Sequence, residues 1–464
     1  MHFPRQVAAH RDGIKTHWNS WNKDGREIRP CPGIIDRAAI CSHRYGAKIA
    51  LSGSPTASDP VYRERDFRLF LGVRIVSTLA VMIQSVAVGW QVYDMERTPL
   101  ALAWVGLAEF VPMFLLTLPA GAVVDHTDQR RVLSVAFFIQ ALSAGLLLAL
   151  SVAHVHGAGP FYAVIAVFGV ARGFYGPAAQ SLLAFLVPQE RLPKAIALSS
   201  SAYQAAVIAG PALGGLIYAL GPVPTYGTCL VAFCVAGVAT ATYGGRRNDP
   251  REQGQLGPVA RVREGLAFVL SRQVVLGAIS LDLFAVLLGG ATALLPIFAR
   301  DILHVGPVGL GALRSASAVG ATCTALLLAR HPMARNTGRR MFTAVAVFGV
   351  ATVVFGLSRN MYLSMGALVI LGAADQVSVF VRSSLIQLAT PDAMRGRVSA
   401  VNMLFIGASN ELGEFESGVT AAWFGTVPAV VLGGLGTLIV VGVWMRLFPA
   451  LRNVDRLDSV LPRS

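Results

Sequence analysis

The chain has 464 residues, of which 54% are hydrophobic and 14% are charged, and its mean hydropathy is +0.58. A soluble domain of this size needs a mostly polar surface, so this composition excludes an ordinary soluble protein and indicates a membrane protein. A formal net charge of +14 is typical of nucleic-acid-binding proteins, but the basic residues lie in short connections between apolar runs, so we expect no nucleic-acid partner.

Residues 1–65 precede the first apolar run and carry eleven lysines and arginines. They contain no hydrophobic segment of signal-peptide type, so this region is predicted to be a disordered cytoplasmic tail. Cys31, Cys41 and His43 lack the close spacing of metal ligands, and the three remaining cysteines fall in predicted spans. We therefore expect no metal site, no cofactor and no disulfide framework.

Twelve apolar runs follow, each about the length of a membrane span. A bilayer core of ~30 Å needs ~20 residues at helical rise. The predicted fold is therefore an all-α integral membrane protein with twelve transmembrane helices. These spans lie near residues 67–93, 99–124, 132–153, 160–187, 195–219, 224–244, 274–299, 308–329, 341–357, 361–388, 398–422 and 427–447.

Basic residues are distributed unequally between the two sides of the predicted membrane. Of the 39 lysines and arginines, 31 lie in the tails and alternate connections of one side, and only Arg97, Arg300 and Arg359 lie on the other. Cytoplasmic loops carry the excess of positive charge in membrane proteins. The chain is therefore predicted to be a multi-pass protein of the plasma (inner) membrane with both termini in the cytoplasm.

The spans divide into two sets of six at the longest internal connection. The predicted parts are an N-terminal bundle (66–245), a cytoplasmic linker with an amphipathic helix from Val259 to Leu270 (246–273), a C-terminal bundle (274–448) and a tail (449–464). An offset of 203 residues aligns Gly169 with Gly372 and Gly215 with Gly418, which indicates a duplicated unit. Duplicated halves are typical of secondary transporters, which bind substrate where the repeats meet.

The connection after the second span contains a carboxylate and two basic residues that could act as a gate. It begins at Gly121 and contains Asp125, followed by Arg130 and Arg131. A carboxylate that faces a basic pair can form an ion pair in one state and release it in another. The alternative is that these charges only set topology and cap a helix.

The fifth span contains the small-residue segment Gly210, Pro211, Gly214 and Gly215. Small residues let helices approach closely, and proline bends a helix, so the segment suits a moving interface. Plain packing is the alternative, because glycine and proline are common in membrane helices.

Charged side chains inside the spans indicate a functional cavity, since each costs ~2.5–3.5 kcal/mol at the membrane centre. Arg172 and Asp375 occupy equivalent positions in the two halves, so they are predicted to pair across the cavity; the alternative is an ion pair that only fixes bundle geometry. Arg74 and Asp282 are expected to reach towards the cytoplasmic face. The candidates for the substrate cavity are Arg74, Gln84, Glu109, Arg172, Asp282, Gln376, Arg382, Asn402 and Asn410.

The eleventh span carries a polar stripe. Asn410, Glu414 and Ser417 follow helical spacing with Glu411 beside them, and such a stripe cannot face lipid. Low-dielectric surroundings favour the protonated form of a carboxyl group, so Glu411 and Glu414 are the first candidates for proton carriers, with Asp375 in reserve. The alternative is that both glutamates only line a water-filled outer vestibule.

These motifs resemble those of the major facilitator superfamily over about residues 65–455, and within it the drug and siderophore exporters of the enterobactin-exporter type. Asp125 and the basic pair fall where the signature loop of that superfamily has its gating carboxylate and cations. His126, Asp128 and Gln129 replace the usual arginine, glycine and cation of this loop. The segment Gly210–Gly215 is similar to the antiporter motif of the same superfamily.

The predicted function is proton-coupled export of a small organic molecule, such as a drug, siderophore or secreted metabolite, by alternating access. The sequence has no phosphate-binding loop and no nucleophile elbow or zinc-protease motif, so neither an ATP-driven pump nor an enzyme is expected. The expected partners are a small-molecule substrate, protons and the lipid bilayer, and the chain is expected to be a monomer. The alternatives are a facilitator or importer of a small solute, and a membrane sensor or scaffold that transports nothing.

Overall fold

The computed structural model describes residues 65–243, 258–331, 335–391 and 394–455. The predicted N-terminal tail up to residue 64, the linker residues 244–257 and the end of the chain from residue 456 lie outside the described residues. Throughout the described ranges the regular secondary structure is helical. The prediction of an all-α protein is therefore confirmed.

Each predicted span of the first half is a single long helix. Prolines occupy the first turn of four of these helices. The fixed φ of proline suits helix initiation, and its missing N–H costs no hydrogen bond because first-turn N–H groups have no partner within the helix. Asp128 begins α3 by accepting a hydrogen bond from the backbone N–H of Arg130 at 3.0 Å. The helices are α1 (Arg65–Glu96), α2 (Pro99–His126), α3 (Gln129–Val152), α4 (Gly159–Leu186), α5 (Leu192–Tyr218) and α6 (Pro222–Ala241).

The second half begins with the linker helix and ends with a short helical turn. Its helices are α7 (Pro258–Ser271), α8 (Gln273–Leu288), α9 (Leu295–Ile297), α10 (Gly306–Arg330), α11 (Thr337–Leu357), α12 (Met361–Ala389), α13 (Arg395–Phe424), α14 (Thr426–Leu447) and α15 (Pro449–Arg452). The helix predicted from Val259 to Leu270 is present as α7, and its placement on the inner membrane face stays a prediction. Glu264 of α7 forms an ion pair of 2.5 Å with Arg397 of α13.

The seventh span is broken, whereas the sequence predicted one continuous helix over 274–299. Helix α8 ends at Leu288, and the chain continues as a 3-10 turn (Ala291–Leu294), the single turn α9 and a π-helical turn (Phe298–Ile302). The break lies at Gly289 and Gly290, two residues with low helix propensity. Gly290 packs closely against the backbone of Gly413 in α13, so a side chain there would meet that neighbouring helix.

Eleven helical segments of the described residues are long and apolar enough to cross a membrane. The one predicted span outside this set is the eleventh, α13, which has 30 residues and is therefore long enough to cross. It carries three glutamates and two asparagines, and it is not among the eleven apolar segments. These polar side chains are the reason to look at α13 for function.

The helices pack as two bundles of like arrangement. In the first, α2 packs against α4 and α1 against α5; in the second, α10 packs against α12 and α8 against α13. Gly169 of α4 packs against the backbone carbonyl of Glu109, and Gly372 of α12 packs in the same way against that of Ser317. The residues aligned by the offset of 203 thus make corresponding contacts, as a duplicated unit requires.

The predicted cytoplasmic tail from residue 449 begins inside the fold. Leu451 of α15 is fully buried, and the backbone N–H of Gly338 donates to the carbonyl of Val454 at 2.9 Å. This contact satisfies a free N–H at the start of α11. Residues 449–455 therefore pack against the C-terminal bundle, where they bury an apolar side chain and supply a helix cap, and the cytoplasmic location of the tail stays a prediction.

Candidate functional site

A cavity of about 420 Å³ lies between the two bundles. Its walls come from α1, α2, α4 and α5 on one side and from the broken seventh span, α10, α12 and α13 on the other. A pocket of this size at the meeting of duplicated halves suits a small organic molecule. Its polar and charged walls are Ser85, Glu109, Arg172, Gln204, Thr292, Arg314, Ser317, Asp375, Gln376, Glu411 and Glu414.

The N-terminal wall of the cavity holds an ion pair. Arg172 Nη1 lies 2.5 Å from Glu109 Oε1, which joins α4 to α2. The sequence predicted that Arg172 pairs with Asp375, and this is wrong in the described structure. Equivalent positions in two repeats lie at similar depth in the membrane, but similar depth does not bring two side chains into contact. Glu109 belongs to α2, which packs directly against α4 and so places its carboxylate beside Arg172.

A second arginine, Arg314, enters the cavity from α10. Its Nη1 donates to the hydroxyl of Ser85 in α1 at 2.8 Å, so this bond crosses between the bundles. It shares the cavity walls with Glu414 and Glu109. Sequence reasoning did not assign Arg314 to the cavity, although an arginine within an apolar run is itself a signal of function.

The face of α13 that lines the cavity carries Glu411 and Glu414. Glu414 lies against Gly106 of α2, where a Cβ would be 3.6 Å from its carboxylate oxygen. The predicted stripe is only partly correct. Asn410 is exposed and Asn402 is half-buried, and neither is among the cavity walls, because the cavity face is centred on the i, i+3 pair of glutamates.

Four other predicted cavity residues lie elsewhere. Arg382 and Asp282 form an ion pair within the C-terminal bundle, with side-chain exposures of 3% and 6%. Arg74 lies over the ring of Tyr203 at 5.2 Å from its centroid. Asp282 therefore does not reach towards the cytoplasmic face as predicted, because it has a buried partner on α12. Gln84 is also buried outside the cavity walls.

The buried pair Asp282 and Arg382 gives a stability prediction. Asp282→Asn leaves the Arg382 charge without its carboxylate partner, so we expect a loss of about 3–5 kcal/mol in the free energy of unfolding. The double change Asp282→Asn with Arg382→Gln removes both charges and should cost clearly less. Thermal unfolding in detergent measures both variants, and equal losses would contradict this account of the pair.

The small-residue segment of α5 faces three neighbours at once. Gly210 and Gly214 pack against Met82 and Ile83 of α1, and Pro211 lines the cavity. Gly215 packs against the carbonyl of Pro307. A Cβ added to Gly215 would lie 3.2 Å from the backbone of Gly311 in α10. The segment therefore belongs to both the core of one bundle and the contact between bundles.

The predicted gating loop lies at the end of α2. Arg130 Nη1 donates to the carbonyl of Tyr243 at 2.5 Å, which ties the start of α3 to the end of α6. Arg131 is exposed, and Gly121 has open space where a side chain would lie. The side chain of Asp125 lies outside what the structure describes, so its partner stays a prediction.

The bundles meet at the end where α1 and the seventh span finish. Asp94 forms an ion pair with Arg300, and the hydroxyl of Tyr93 donates to Asp301. Gly418 of α13 packs against α2 there, as Gly215 packs against α10. The predicted topology places this end at the outer face of the membrane. Sequence reasoning gave no functional role to Tyr93, Asp94, Arg300 or Asp301.

Comparison with known proteins agrees with this architecture. The sequence profile of the family described as "Transmembrane secretion effector" matches residues 56–463. The multidrug efflux pump Tap of Mycobacterium tuberculosis is 29% identical over 407 residues, which cover 83% of this chain and 94% of the relative. The enterobactin exporter EntS of Citrobacter koseri is 24% identical over 397 residues, covering 83% and 92%.

Solved structures share the fold at low sequence identity. The nucleoside transporter NupG superposes with a TM-score of 0.66 at 13% identity, covering 82% of this chain and all of that one. A bacterial homologue of the lysosomal transporter Spinster, in an inward-facing and occupied conformation, gives 0.63 at 13% identity, covering 85% and 97%. These matches show the fold alone.

Proposed function

The chain belongs to the transmembrane secretion effector family of major facilitator transporters, and we propose from this premise that it exports a small organic molecule across the cell membrane in exchange for protons. The observation that carries the proposal is the cavity between the bundles, which brings four carboxylates and two arginines from different helices together. Ionisable groups at membrane depth mark substrate and proton pathways.

Alternating access follows from the arrangement of contacts. An ion pair, a hydrogen bond and close helix contacts join the bundles at the predicted outer end, and the cavity lies beyond them. Breaking these contacts while forming others at the opposite end would expose the same cavity to the other side. The orientation with both termini in the cytoplasm and a monomeric transport unit are parts of this proposal.

Proton exchange is assigned to the cavity carboxylates. Glu411 and Glu414 share one face of α13, and Asp375 lines the same cavity from α12. Arg172 already has a carboxylate partner in Glu109, so the N-terminal wall keeps a fixed ion pair. The carboxylates of the C-terminal wall are thus the groups available to take and release a proton.

The substrate proposed is a drug, a siderophore or another secreted metabolite. This assignment draws on the relatives, whose names describe a multidrug pump and an enterobactin exporter. The polar walls of the cavity include amides and hydroxyls, which can bind the polar groups of such molecules. No cofactor is assigned a role.

Efflux from cells tests the function. Bacteria that lack their own drug pumps, expressing this chain, should expel ethidium and resist a panel of drugs, and an uncoupler should collapse both effects. A facilitator would equilibrate the compound whether or not the uncoupler is present. A sensor or scaffold would move none of the compounds at equal membrane abundance.

The gating loop gives a further prediction. If Asp125 pairs with cations at the cytoplasmic end when the cavity faces outward, Asp125→Asn should weaken that state and slow turnover about tenfold without unfolding the protein. Transport in reconstituted vesicles, compared at equal protein content, measures the effect. Unchanged transport would show that Asp125 serves topology only.

A further inference from the structure

A line of polar side chains runs from the central cavity into the interior of the C-terminal bundle. Asp375, Ser378 and Arg382 lie at i, i+3 and i+7 of α12, so they share one face of that helix. Asp375 belongs to the cavity wall, and Arg382 pairs with Asp282 of α8. Ser378 lies between them in the sequence of α12 and is only 3% exposed.

Two members of this line, together with Asp282 of α8, border a small void. Asp375, Ser378 and Asp282 all line a space of about 10 Å³ that is separate from the substrate cavity. That volume corresponds to about one water molecule. Its other walls are apolar and come from α8, α11 and α12. Asp375 therefore touches the substrate cavity on one side and this void on the other.

Two polar atoms along the line are buried without a hydrogen-bond partner in the described structure. They are the hydroxyl oxygen of Ser378 and Nε of Arg382. A buried polar atom left unpaired costs about 1–3 kcal/mol, so such atoms are uncommon and need a physical reason. A serine hydroxyl facing a void beside two carboxylates can both accept and donate a proton.

We propose that this line is the route by which the transported proton passes between the substrate cavity and the Asp282–Arg382 pair inside the C-terminal bundle. The inference rests on the proposed proton-coupled function and adds a path to it. Asp375 receives the proton in the cavity, and its O–H bond breaks as the proton passes, through one water in the void, to the oxygen of Ser378. The hydroxyl gives its own proton to the carboxylate of Asp282.

The charged groups at the two ends of the line favour movement of the proton from the cavity towards Asp282. On the cavity side, Asp375 shares the walls with Glu109, Glu411 and Glu414, whose carboxyl groups can deliver a proton. The guanidinium groups of Arg172 and Arg314 in the same walls can bind substrate. On the inner side, Arg382 keeps its charge when Asp282 is protonated, so it favours the release of that proton. Asp282 lies nine residues after the start of α8, which is about 14 Å of helix from the predicted cytoplasmic end.

The route separates proton movement from substrate movement. The substrate needs the wide cavity between the bundles, whereas a proton needs only adjacent hydroxyl and carboxyl groups. Ser378 acts here as a relay residue and does not contact the substrate. Removing its hydroxyl should therefore affect coupling and leave substrate exchange intact.

The full chain, reconstituted in vesicles of phosphatidylethanolamine and phosphatidylglycerol with a trapped pH dye, provides the test with ethidium as the probe. Ser378→Ala should lower ethidium-coupled proton flux about tenfold or more. Ethidium exchange at equal pH on both sides should change by less than about twofold, since no substrate contact is lost. The matched control is Ser384→Ala, the same change about 120° around α12 from Ser378.

A second variant tests the inner end of the route. The double change Asp282→Asn with Arg382→Gln removes the proton acceptor without leaving an unpaired charge, and it should give the same separation of coupling from exchange. Coupled flux in Ser378→Ala equal to that of Ser384→Ala would overturn the route, and so would an equal loss of flux and exchange. Wild-type vesicles that move ethidium without protons, or move none, would contradict the proposed function itself and the route with it.

Discussion

Glutamine at both Glu411 and Glu414 is expected to reduce gradient-driven efflux by about a hundredfold or more, while substrate exchange at equal pH continues. Both side chains lie on the cavity face of α13, one turn apart. Glutamine keeps the size and hydrogen-bonding capacity of each side chain and removes only its ability to bind and release a proton. The comparison of driven efflux with exchange in vesicles therefore isolates coupling.

The packing around the two glutamates explains why exchange should survive. Arg172 retains its ion pair with Glu109, and Arg314 retains its hydrogen bond to Ser85. No arginine of the cavity walls is thus left without any polar partner. The positions of α2, α4 and α10 around the cavity should stay close to those of the unaltered protein.

Glu416 supplies the control for this experiment. It lies on the same helix, but it accepts a hydrogen bond from Thr420 at 2.7 Å and is not among the cavity walls. Glu416→Gln should leave driven efflux within about twofold of the wild type. Full proton-driven transport by the double variant would exclude both glutamates and move the assignment to Asp375.

Valine at Gly215 is expected to lower transport about tenfold or more by holding the bundles apart at the predicted outer end. Gly215 packs directly against the carbonyl of Pro307, and a Cβ would lie 3.2 Å from both the Cα and the N of Gly311. Both contacts are with backbone of α10, which cannot rotate away as a flexible side chain can. The outward-closed state should lose population relative to the outward-open state.

Labelling from outside the cell reports the change of state. Thr292 lines the cavity, so Thr292→Cys in a cysteine-free background should react with a membrane-impermeant maleimide faster when Gly215→Val is also present. Gly366→Val on α12 is the control, because that glycine has open space where the side chain would lie. Equal transport and equal labelling in the two valine variants would refute the role of this contact.

Several properties of the protein follow from the sequence alone. The spans, the topology and the duplication depend on the length of apolar runs, the position of basic residues and a constant offset. Each is a property of the linear chain, set by the thickness and charge of the bilayer. The linker helix α7 and the polar side chains within α13 were predictable for the same reason.

Only the tertiary structure decided which side chains meet. The sequence placed Arg172 opposite Asp375, but helix packing gives it Glu109, and it gives Asp282 the partner Arg382. Association of membrane helices depends on small residues and local fit, and no hydrophobic pattern fixes the rotation of each helix.

The rotation of α13 about its axis determines which of its residues line the cavity. Asn410 and Glu411 are adjacent in sequence, yet a turn of about 100° per residue leaves one exposed and places the other in the cavity wall. The entry of Arg314 from α10 and the break at Gly289 depend likewise on neighbouring helices. The sequence thus determined how many helices cross the membrane, and their rotation and mutual packing determined which charged groups form the cavity.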